Sequence, residues 1–461
     1  MSVVYVLAYL LAAVLFILGL RQLSSPKGAR NGNFTAAAGM VIAIGATIPQ
    51  LKFTAAGIGI IAIGVVIGGI VGAFGARMVK MTAIPQMVAL FNGVGGGAAA
   101  LVAVSELLHF GRNPAFADAF PSVFSIVIGS ISFAGSMVAF AKLQELMTGT
   151  PITYPGQQLV NAVLAAAILG FAIAVLAVAS VPFSFVSLMV LALVLGVAFV
   201  LPIGGADMPV VISLLNAFTG LAVAASGFTL HNFALIVAGT LVGASGSLLT
   251  KLMSDAMGRS LTNTLFGAFG QVKAGAASAT GAPGRQVRAG TPEDLATLLA
   301  YSRRVIIVPG YGLAVAQAQH AVRELAEQLE KRGVEVTYAI HPVAGRMPGH
   351  MNVLLAEANV PYEQLKEMDE VNDEFKDADV ALVVGANDVV NPAARSSPGS
   401  PIYGMPILNA DQAKNIVFMK RSMRPGFAGI DNELLYDPKT IMFFGDAKDS
   451  LTKLVSAVKA A

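Results

Sequence analysis

The sequence contains no cysteine, and only 12% of its 461 residues are charged. The absence of cysteine excludes a disulfide framework, a thiolate metal site and a cysteine nucleophile. The five histidines are scattered along the chain and show no metal-ligand spacing, so we expect no metal site. With 55% hydrophobic residues and a mean hydropathy of +0.71, the chain is too apolar for a soluble protein of this length. Much of it must lie in a lipid bilayer.

The few charges are distributed unevenly. Residues 1–290 contain 13 basic and 5 acidic residues, whereas residues 291–461 contain 17 and 22. The overall charge of +3 therefore describes neither part, and the sequence predicts a membrane domain at 1–260, a flexible linker at 261–290 and a soluble domain at 291–461. The linker prediction comes from a run rich in Gly, Ala and Ser that has no helical periodicity.

Apolar segments of about 20 residues, the length that spans a bilayer, recur through the first part. We count about nine spans, at residues 3–20, 33–49, 53–76, 84–107, 120–141, 158–179, 183–202, 208–229 and 232–252. The first has no basic residue before it and no cleavage site after it, which favours a retained span over a signal peptide.

The charges of the connecting loops predict the orientation. Eight basic residues follow odd-numbered spans, and two follow even-numbered spans: Arg21, Lys27, Arg30, Arg77, Lys80, Lys142, Lys251 and Arg259 against Lys52 and Arg112. By the positive-inside rule the N-terminus lies outside and the soluble domain is cytoplasmic.

Polar residues within the spans are costly in hydrocarbon unless they are paired or hydrated. Asn92, Asn161, Asp207, Asn216 and Thr219 are such residues, and Asn216 and Thr219 share a helical face. Hydrogen bonding between helices and a polar route for ions remain alternatives for each of them. The many glycines of the spans favour close helix packing over a pore lining.

The soluble domain shows the pattern of an α/β fold with a parallel sheet. We predict buried strands at 305–308, 334–340, 379–384, 416–419 and 440–447, and a helix at 313–329. The last strand leads into a terminal helix with Asp446 at its N-cap, and Thr291 is the predicted N-cap of the first helix of the domain. Gly310, Tyr311 and Gly312 form a tight turn between the first strand and this helix, where glycines allow a phosphate to approach backbone NH groups. A plain connecting turn is the alternative for so short a motif.

Other candidate ligand residues also follow strands. The second strand ends at His341 without the acidic residue that binds a ribose 2′-hydroxyl, which argues against NAD and leaves NADP open. Arg346 lies in a glycine-bounded loop before a helix, and Asn387, Asp388 and Asn391 follow the third strand. The fourth strand is followed by three cations and a serine, Lys420, Arg421, Arg424 and Ser422. They form either a 2′-phosphate clamp or a solvated basic turn.

Several motifs resemble the NADP(H)-binding domain of proton-translocating nicotinamide nucleotide transhydrogenase. They are Gly310-Tyr-Gly-Leu-Ala-Val, His341-Pro-Val-Ala-Gly-Arg-Met-Pro-Gly-His-Met, Glu367-Met-Asp-Glu-Val-Asn, Gly385-Ala-Asn-Asp, Gly404-Met-Pro, Lys420-Arg-Ser and Phe444-Gly-Asp-Ala. In the first part, Gly204-Gly-Ala-Asp-Met-Pro, Ser213-Leu-Leu-Asn and Gly243-Ala-Ser-Gly are similar to its membrane domain. The resemblance covers essentially the whole chain and corresponds to the beta subunit.

The resemblance implies a multi-pass helical membrane domain followed by a Rossmann-like NADP(H)-binding domain. It further implies a partner alpha subunit that holds NAD(H), direct hydride transfer between the two nicotinamides, and movement of a proton across the inner membrane. Asp388 resembles the residue that couples nucleotide state to proton movement. The implied NADP contacts are Gly310, Tyr311, Gly312, Val343, Ala344, Gly345, Arg346, Met347, Pro348, Gly385, Ala386, Asn387, Asp388, Val389, Gly404, Met405, Lys420, Arg421, Ser422, Met423, Arg424, Pro425, Gly426, Phe427, Asp446 and Ala447. In this family the dinucleotide lies reversed, so the Gly310 turn need not bind phosphate.

One position departs from part of the family. Some members have a histidine where this chain has Asn92, and that histidine is the usual candidate for a proton relay. The hypothesis is that a partner subunit supplies the relay, with Asn92, Asn216, Thr219 and Asp207 near the path. Two other functions fit the architecture. They are an ion channel or transporter with a redox-sensing dinucleotide domain, and a membrane-tethered dehydrogenase. The sequence shows no filter-like loop or mid-span acidic residue for the first and no catalytic pair for the second.

Overall fold

The computed structural model describes residues 3–23, 28–50, 54–110, 115–148, 151–178, 182–204, 207–257, 261, 287–345, 349–398, 400, 402–426 and 428–461. The chain divides into two compact units, Met1–Thr250 and Lys251–Ala461. Each unit has its own core. Most of the predicted linker, from 262 to 286, lies outside the described residues.

The first unit is helical because hydrocarbon offers no partner for backbone polar groups, and a helix satisfies them internally. Its helices are α1 (Val3–Leu23), α2 (Ala29–Thr47), α3 (Ala55–Met78), α4 (Ile84–His109), α5 (Phe116–Leu143), α6 (Gln157–Val178), α7 (Pro182–Val200), α8 (Met208–Thr229) and α9 (Phe233–Ala256). Eight of them are long and apolar enough to cross a bilayer. The helix α7, our seventh predicted span, is apolar over its stretch Phe185–Val200.

The helix α5 lies at the centre of this unit and packs against α4, α7 and α8. Small residues permit these contacts. A Cβ atom added to Gly129 of α5 would lie 2.6 Å from the carbonyl oxygen of Gly96 in α4, so both backbones meet there directly. Such close approach is the usual way in which helices associate in lipid. It confirms close packing for these glycines.

The second unit is built on one parallel sheet of seven strands in the order β1-β7-β6-β5-β2-β3-β4. The strands are β1 (Arg288–Ala289), β2 (Arg304–Pro309), β3 (Glu335–Ile340), β4 (Leu365–Glu367), β5 (Val380–Val384), β6 (Asn415–Lys420) and β7 (Thr440–Phe444). Its helices are α10 (Pro292–Ala300), α11 (Tyr311–Val315), α12 (Gln319–Glu330), α13 (His350–Glu357), α14 (Met368–Val371), α15 (Ala393–Ser396) and α16 (Ala447–Ala460). From β2 onwards the order is that of a doubly wound dinucleotide fold.

Both faces of the sheet are covered, which explains why its strands are apolar without alternation. On one face Val305 and Ile307 of β2 pack with Leu451 and Leu454 of α16 and with side chains of α10, α12 and α13. On the other face Ile306 and Val308 pack against short helices and loops that contribute Phe375, Leu408 and Leu434. The alternate residues of one strand thus enter two different cores.

The structure places the predicted strands correctly but adds two. The strand β4 was missed because three residues give no periodic signal. The strand β1 pairs with β7, so Arg288 and Ala289 belong to the sheet although the prediction placed them in the linker. The N-cap of α10 is confirmed, because Thr291 and Asp294 form a reciprocal capping box.

The continuous helix predicted at 313–329 is wrong. The chain forms α11, leaves the helical conformation at Gln317, where φ is +50°, and begins again as α12. The amide of Ala318 donates to the carbonyl of Leu313 and closes a tight turn between them. Apolar periodicity did not reveal the break, because Leu313, Val322 and Leu329 all enter the same core.

Candidate functional site

The candidate side chains of the second unit share one edge of the sheet, which we call the carboxyl edge and define as the ends of β2, β3, β5, β6 and β7. Parallel register produces this arrangement. Pro309 lies beside Val384, and Val384 lies beside Met419, so the turns after β2, β5 and β6 begin at the same level. The order of the strands reverses between β2 and β5. Open α/β sheets bind their ligands at such a switch point.

The turns after β2 and β5 pack backbone against backbone. The amide of Gly310 donates to the carbonyl of Val384, and the amide of Gly312 donates to that of Gly385, both at 2.9 Å. A Cβ atom on Gly310 would lie 2.5 Å from the Gly385 oxygen and still closer to the backbone of Ala386. These two amides are therefore not available to a phosphate, contrary to the first expectation from the glycine pattern. Gly310 and Gly312 therefore allow the turn after β2 to pack directly against the turn after β5.

Asn387 and Asp388 hold the segment that follows β6, which we call the cover segment and define as residues 420–432. The Lys420 ammonium donates to the Asn387 side-chain oxygen at 2.8 Å. Asp388 accepts the amide of Ala428 through Oδ2 at 2.9 Å and the Asn387 side-chain amide through Oδ1 at 3.0 Å. Gly426 lies so close that a Cβ atom there would be 2.5 Å from Asp388 Oδ1. The carboxylate therefore fixes the course of the cover segment.

Sequence reasoning missed a second attachment of this segment. The Asn432 side chain donates to the Asn387 carbonyl at 3.0 Å, and the Asn391 side chain donates to the Asp431 carbonyl at 2.9 Å. Asn391 and Asn432 are almost fully buried. Asn391 was noticed only as a possible ligand residue, and its position shows that it anchors the cover segment.

The cations of the cover segment differ in environment. Lys420 is partly buried, and burial lowers its pKa, while the nearby carboxylates of Asp388 and Asp431 act in the opposite direction. Arg421, Ser422 and Arg424 are exposed. The two guanidinium groups have no recorded acidic partner in the part of the chain that the structure describes. They are thus placed to bind an anion.

The remaining predicted contacts reach the same edge from other elements. Met405, beside Gly404, packs against a small apolar cluster that also contacts Ala428 and Ile430 of the cover segment. Asp446 follows β7 and caps α16 by accepting the Lys448 amide, as predicted. Ala386, Val389 and Ala447 are buried, whereas Arg346, Met347, Pro348 and Phe427 lie outside the described residues.

The turn after β3 contains Val343, Ala344 and Gly345 and is organised by two buried histidines. A Cβ atom on Gly345 would lie 2.6 Å from His350 Nδ1, and the ring of His350 is 6.2 Å from that of Tyr311. His341 donates from Nε2 to the Pro406 carbonyl at 2.8 Å and accepts the Val343 amide at Nδ1. His341 therefore joins this turn to the loop that carries Gly404 and Met405.

His341 predicts a pH dependence of stability. Burial lowers its pKa from 6.5 to about 4. Between these values the unfolded chain binds the proton and the folded chain does not, so stability falls as the pH falls through this range. We expect a loss of about 3 kcal/mol in the free energy of unfolding from pH 7 to pH 4 from this residue.

Pulse proteolysis of the detergent-solubilised chain in urea measures this loss. His341→Gln keeps an amide that can donate to Pro406 but does not titrate. Its stability should change less between pH 6.5 and pH 4 than that of the wild type. Equal slopes for both proteins would show that another group is responsible.

In the first unit, a polar network joins α4, α5 and α8. Asn92 donates through Nδ2 to Ser136 at 2.9 Å and to Ser132 at 3.4 Å. Ser132 lies 2.6 Å from the Thr219 hydroxyl and donates to the Leu215 carbonyl. Asn92 is 8% exposed, and its Oδ1 atom has no hydrogen-bond partner within the described ranges. This buried acceptor is a position for a water molecule.

The structure brings only some of the predicted membrane residues together. Thr219 joins Asn92, whereas no hydrogen bond between Asn216 and this network is recorded among the described residues. Asp207 lies at the N-cap of α8, three turns from Thr219. Ser132 and Ser136 were missed, although the run Ser122, Ser125, Ser132 and Ser136 repeats at helical spacing and gave a usable signal.

The hydroxyls of that run continue the polar contacts along α5. Ser125 lies 2.9 Å from Ser226, and Ser122 lies 3.2 Å from Thr229. All four side chains are buried. Hydroxyl pairs therefore link α5 to α8 from Thr219 to Thr229.

Comparison with known proteins agrees with this architecture. The family described as NAD(P) transhydrogenase beta subunit matches residues 5–457. Two sequences named NAD(P) transhydrogenase subunit beta, one from Rhodospirillum rubrum and one from a named strain of that species, are each 51% identical over 461 residues. The match covers 98% of this chain and 98% of each relative. These findings favour an oxidoreductase subunit over a channel or transporter, and the chain belongs to the family of NAD(P) transhydrogenase beta subunits.

Proposed function

We propose that the chain binds NADP(H) at the carboxyl edge and accepts hydride from NADH held on an alpha subunit, with a proton crossing the membrane. Membership of the family implies nicotinamide nucleotides and an alpha partner. The observation that carries the proposal is the pair of exposed guanidinium groups, Arg421 and Arg424, directly after β6. They distinguish a nucleotide with a 2′-phosphate from one without it.

The residues of the carboxyl edge fit NADP(H). Arg421, Arg424 and the Ser422 hydroxyl supply donors for the 2′-phosphate, and Lys420 lies behind them against Asn387. Because Gly426 has no side chain, the backbone of the cover segment can pass close to the Asp388 carboxylate. Tyr311, Val343 to Pro348, Gly385 to Val389, Gly404, Met405, Asp446 and Ala447 are the further proposed contacts. The edge thus offers cationic donors at one end and apolar groups along its length.

When bound, NADP⁺ supplies the carbon that receives the hydride. The residues of this chain orient the nucleotide and keep it in place, since hydride transfer requires no protein base. Asp388 is suited to couple nucleotide binding to movement, because its carboxylate holds the cover segment through Ala428. A change at the nucleotide that reaches Asp388 therefore alters one of the contacts that hold the segment.

Neutralising the two guanidinium groups tests the site. For Arg421→Gln and Arg424→Gln, each alone, we expect NADP⁺ to bind roughly 10- to 150-fold more weakly, because a charge-assisted hydrogen bond contributes roughly 1.5 to 3 kcal/mol. Binding of NADP⁺ to the purified complex, followed by calorimetry, measures the change.

Arg332→Gln is the matched control, because Arg332 is exposed and follows α12, away from the carboxyl edge. It should bind NADP⁺ as the wild type does. NADP⁺ affinity unchanged in both test variants would refute the proposed 2′-phosphate site.

For the proton, we propose a route beside Asn92 and Thr219, with Asn216 and Asp207 near it. Support comes from the buried hydroxyls of α5 and α8 and from the unpartnered Oδ1 atom of Asn92. None of the five histidines lies within the polar network of α4, α5 and α8. We therefore propose that a membrane segment of the partner supplies a histidine. Full pumping by a complex without a membrane histidine would contradict this.

The energetics agree with such coupling. Hydride exchange between the two nicotinamides is nearly thermoneutral, so the proton gradient must set its direction. One charge moved through 100 mV is worth about 2.3 kcal/mol, which shifts the ratio of products roughly 50-fold.

The proposed orientation of the chain in the membrane is based on the distribution of basic residues. Basic residues after odd-numbered helices support an orientation with the N-terminus outside and the second unit in the cytoplasm. The proposed location is the inner membrane, and the proposed assembly is a dimer of alpha–beta units. Protease accessibility of the second unit in inside-out vesicles tests the orientation.

A further inference from the structure

Lys142, near the end of α5, is a lysine that the proposed proton route does not use. It is only 3% exposed although it lies in the helix Phe116–Leu143, which is long and apolar enough to cross a bilayer. Its ammonium donates to the carbonyl oxygens of Leu201 at 2.5 Å and Ile203 at 2.7 Å, in the turn after α7. Carbonyl oxygens at the end of a helix carry partial negative charge and stabilise a cation. The positive charge thus has a built site where α5 meets the turn between α7 and α8.

Two neighbouring helix ends are held in the same way by neutral side chains. Gln86 donates to the carbonyl of Leu143, which ends α5, and Gln157 donates to the carbonyl of Ala198 in α7. Both glutamines are buried. An amide is therefore sufficient to tie helix ends together in this unit. What a lysine adds at position 142 is a full positive charge, which costs much more to bury in a membrane than an amide.

This end of the helical unit also contains two buried hydrogen-bond acceptors that are unsatisfied among the described residues. The side-chain oxygens of Gln86 and Gln157 are buried and lack a hydrogen-bond partner within the described ranges. Buried acceptors of this kind are usually satisfied by ordered water. Gln86 lies six residues before Asn92 on α4, about 9 Å along the helix axis. Water at Gln86 would therefore lie less than two helical turns from the polar network.

We propose that Lys142 is a charge barrier that prevents protons from leaking between this end of the unit and the network of Asn92 and Thr219. The proposal rests on the proposed proton route. Lys142 lies six residues after Ser136 on α5, again about 9 Å along the axis. At that distance a positive charge repels hydronium in a medium of low dielectric constant. The hydrogen bonds from the Lys142 ammonium to the carbonyl oxygens of Leu201 and Ile203 keep the charge in place.

The test uses the complete alpha–beta complex in proteoliposomes with a pH-sensitive dye inside. A potassium diffusion potential drives protons inward, and no nucleotide is present. Lys142→Met removes the charge, Lys142→Gln retains a neutral donor, and Lys142→Arg retains the charge. We expect passive proton influx to rise about tenfold in the Met and Gln variants, as removal of one charge at this distance implies, and to stay low in the Arg variant.

Two further readouts separate a barrier from a purely structural clamp. Hydride transfer in detergent should remain within twofold of the wild type in every variant, and potassium leakage should not change. Proton influx in Lys142→Gln equal to the wild type would overturn the proposal, because a hydrogen bond would then suffice. Leakage by Lys142→Arg equal to that of Lys142→Met, or failure of both neutral variants to assemble, would also overturn it.

The same vesicles distinguish this proposal from the proposed function. If the wild type does not take up protons when NADH and NADP⁺ are supplied, the proposed coupling fails. If the wild type pumps and Lys142→Met does not leak, only the charge barrier fails.

Discussion

Replacement of Gly310 by alanine is expected to lower the free energy of unfolding of the second unit by about 4 kcal/mol or more. The added methyl group would lie 2.5 Å from the Gly385 oxygen and closer to the Ala386 backbone. Main-chain atoms in two adjoining strand ends cannot move apart without breaking the hydrogen bonds from Gly310 to Val384 and from Gly312 to Gly385. Pulse proteolysis in urea measures the loss, and NADP⁺ binding should disappear with it.

Gly333→Ala is the matched control for this prediction. Gly333 has a φ of +83°, and a Cβ atom there would meet no atom within 4 Å. The strain of a positive φ alone should cost only about 1 to 2 kcal/mol. If Gly310→Ala were no less stable than Gly333→Ala, the turns after β2 and β5 would not be packed as tightly as the structure shows.

Replacement of Asn92 by leucine should slow proton-coupled hydride transfer about a hundredfold or more, the lower range for loss of a group that assists proton transfer. The change removes the donor to Ser132 and Ser136 and the Oδ1 atom, a buried acceptor without a partner among the described residues that a water molecule can satisfy. Affinity for NADP⁺ should remain that of the wild type. Rates in proteoliposomes under an imposed proton gradient, together with proton uptake, measure the effect.

Ser130→Ala provides the control, because Ser130 is also buried in α5 but its hydroxyl has no partner in the described part of the chain. Removal of an unsatisfied hydroxyl is expected to be neutral or slightly stabilising. A normal coupled rate in Asn92→Leu would exclude the proposed route, and an equal slowing in both variants would indicate general damage to helix packing.

The sequence predicted most of the framework because its signals are local. A run such as Val305 to Val308 is apolar and β-branched, and it becomes a buried strand in whichever fold surrounds it. The spans of the first unit follow similarly from their length and composition. Short or interrupted elements were missed, namely β1, β4 and the break at Gln317, because a few residues of a periodic pattern do not specify where a chain turns.

For the site, the sequence predicted which chemical groups lie at the ends of the strands, but not which residues they contact. Arg421 and Ser422 follow β6 as predicted, and Lys420 is the last residue of that strand. The sequence did not indicate that Lys420 contacts Asn387, or that Asp388 accepts the amide of Ala428, forty residues away. For the glycine turn the sequence left a phosphate site and a plain connection as alternatives, and in the structure its two amides are engaged by the turn after β5.

The sequence by itself determined that this protein has a helical membrane part and an α/β part, and which residue types line the ends of the strands. These properties depend on hydropathy and on periodicity, which can be determined directly from the amino-acid sequence. Only the tertiary structure decided that His341 joins two loops, that Ser132 completes a network with Asn92 and Thr219, and that Lys142 is buried at the end of α5. Each of these contacts joins residues far apart in sequence, and their strength comes from burial, which exists only after the helices and strands have packed together.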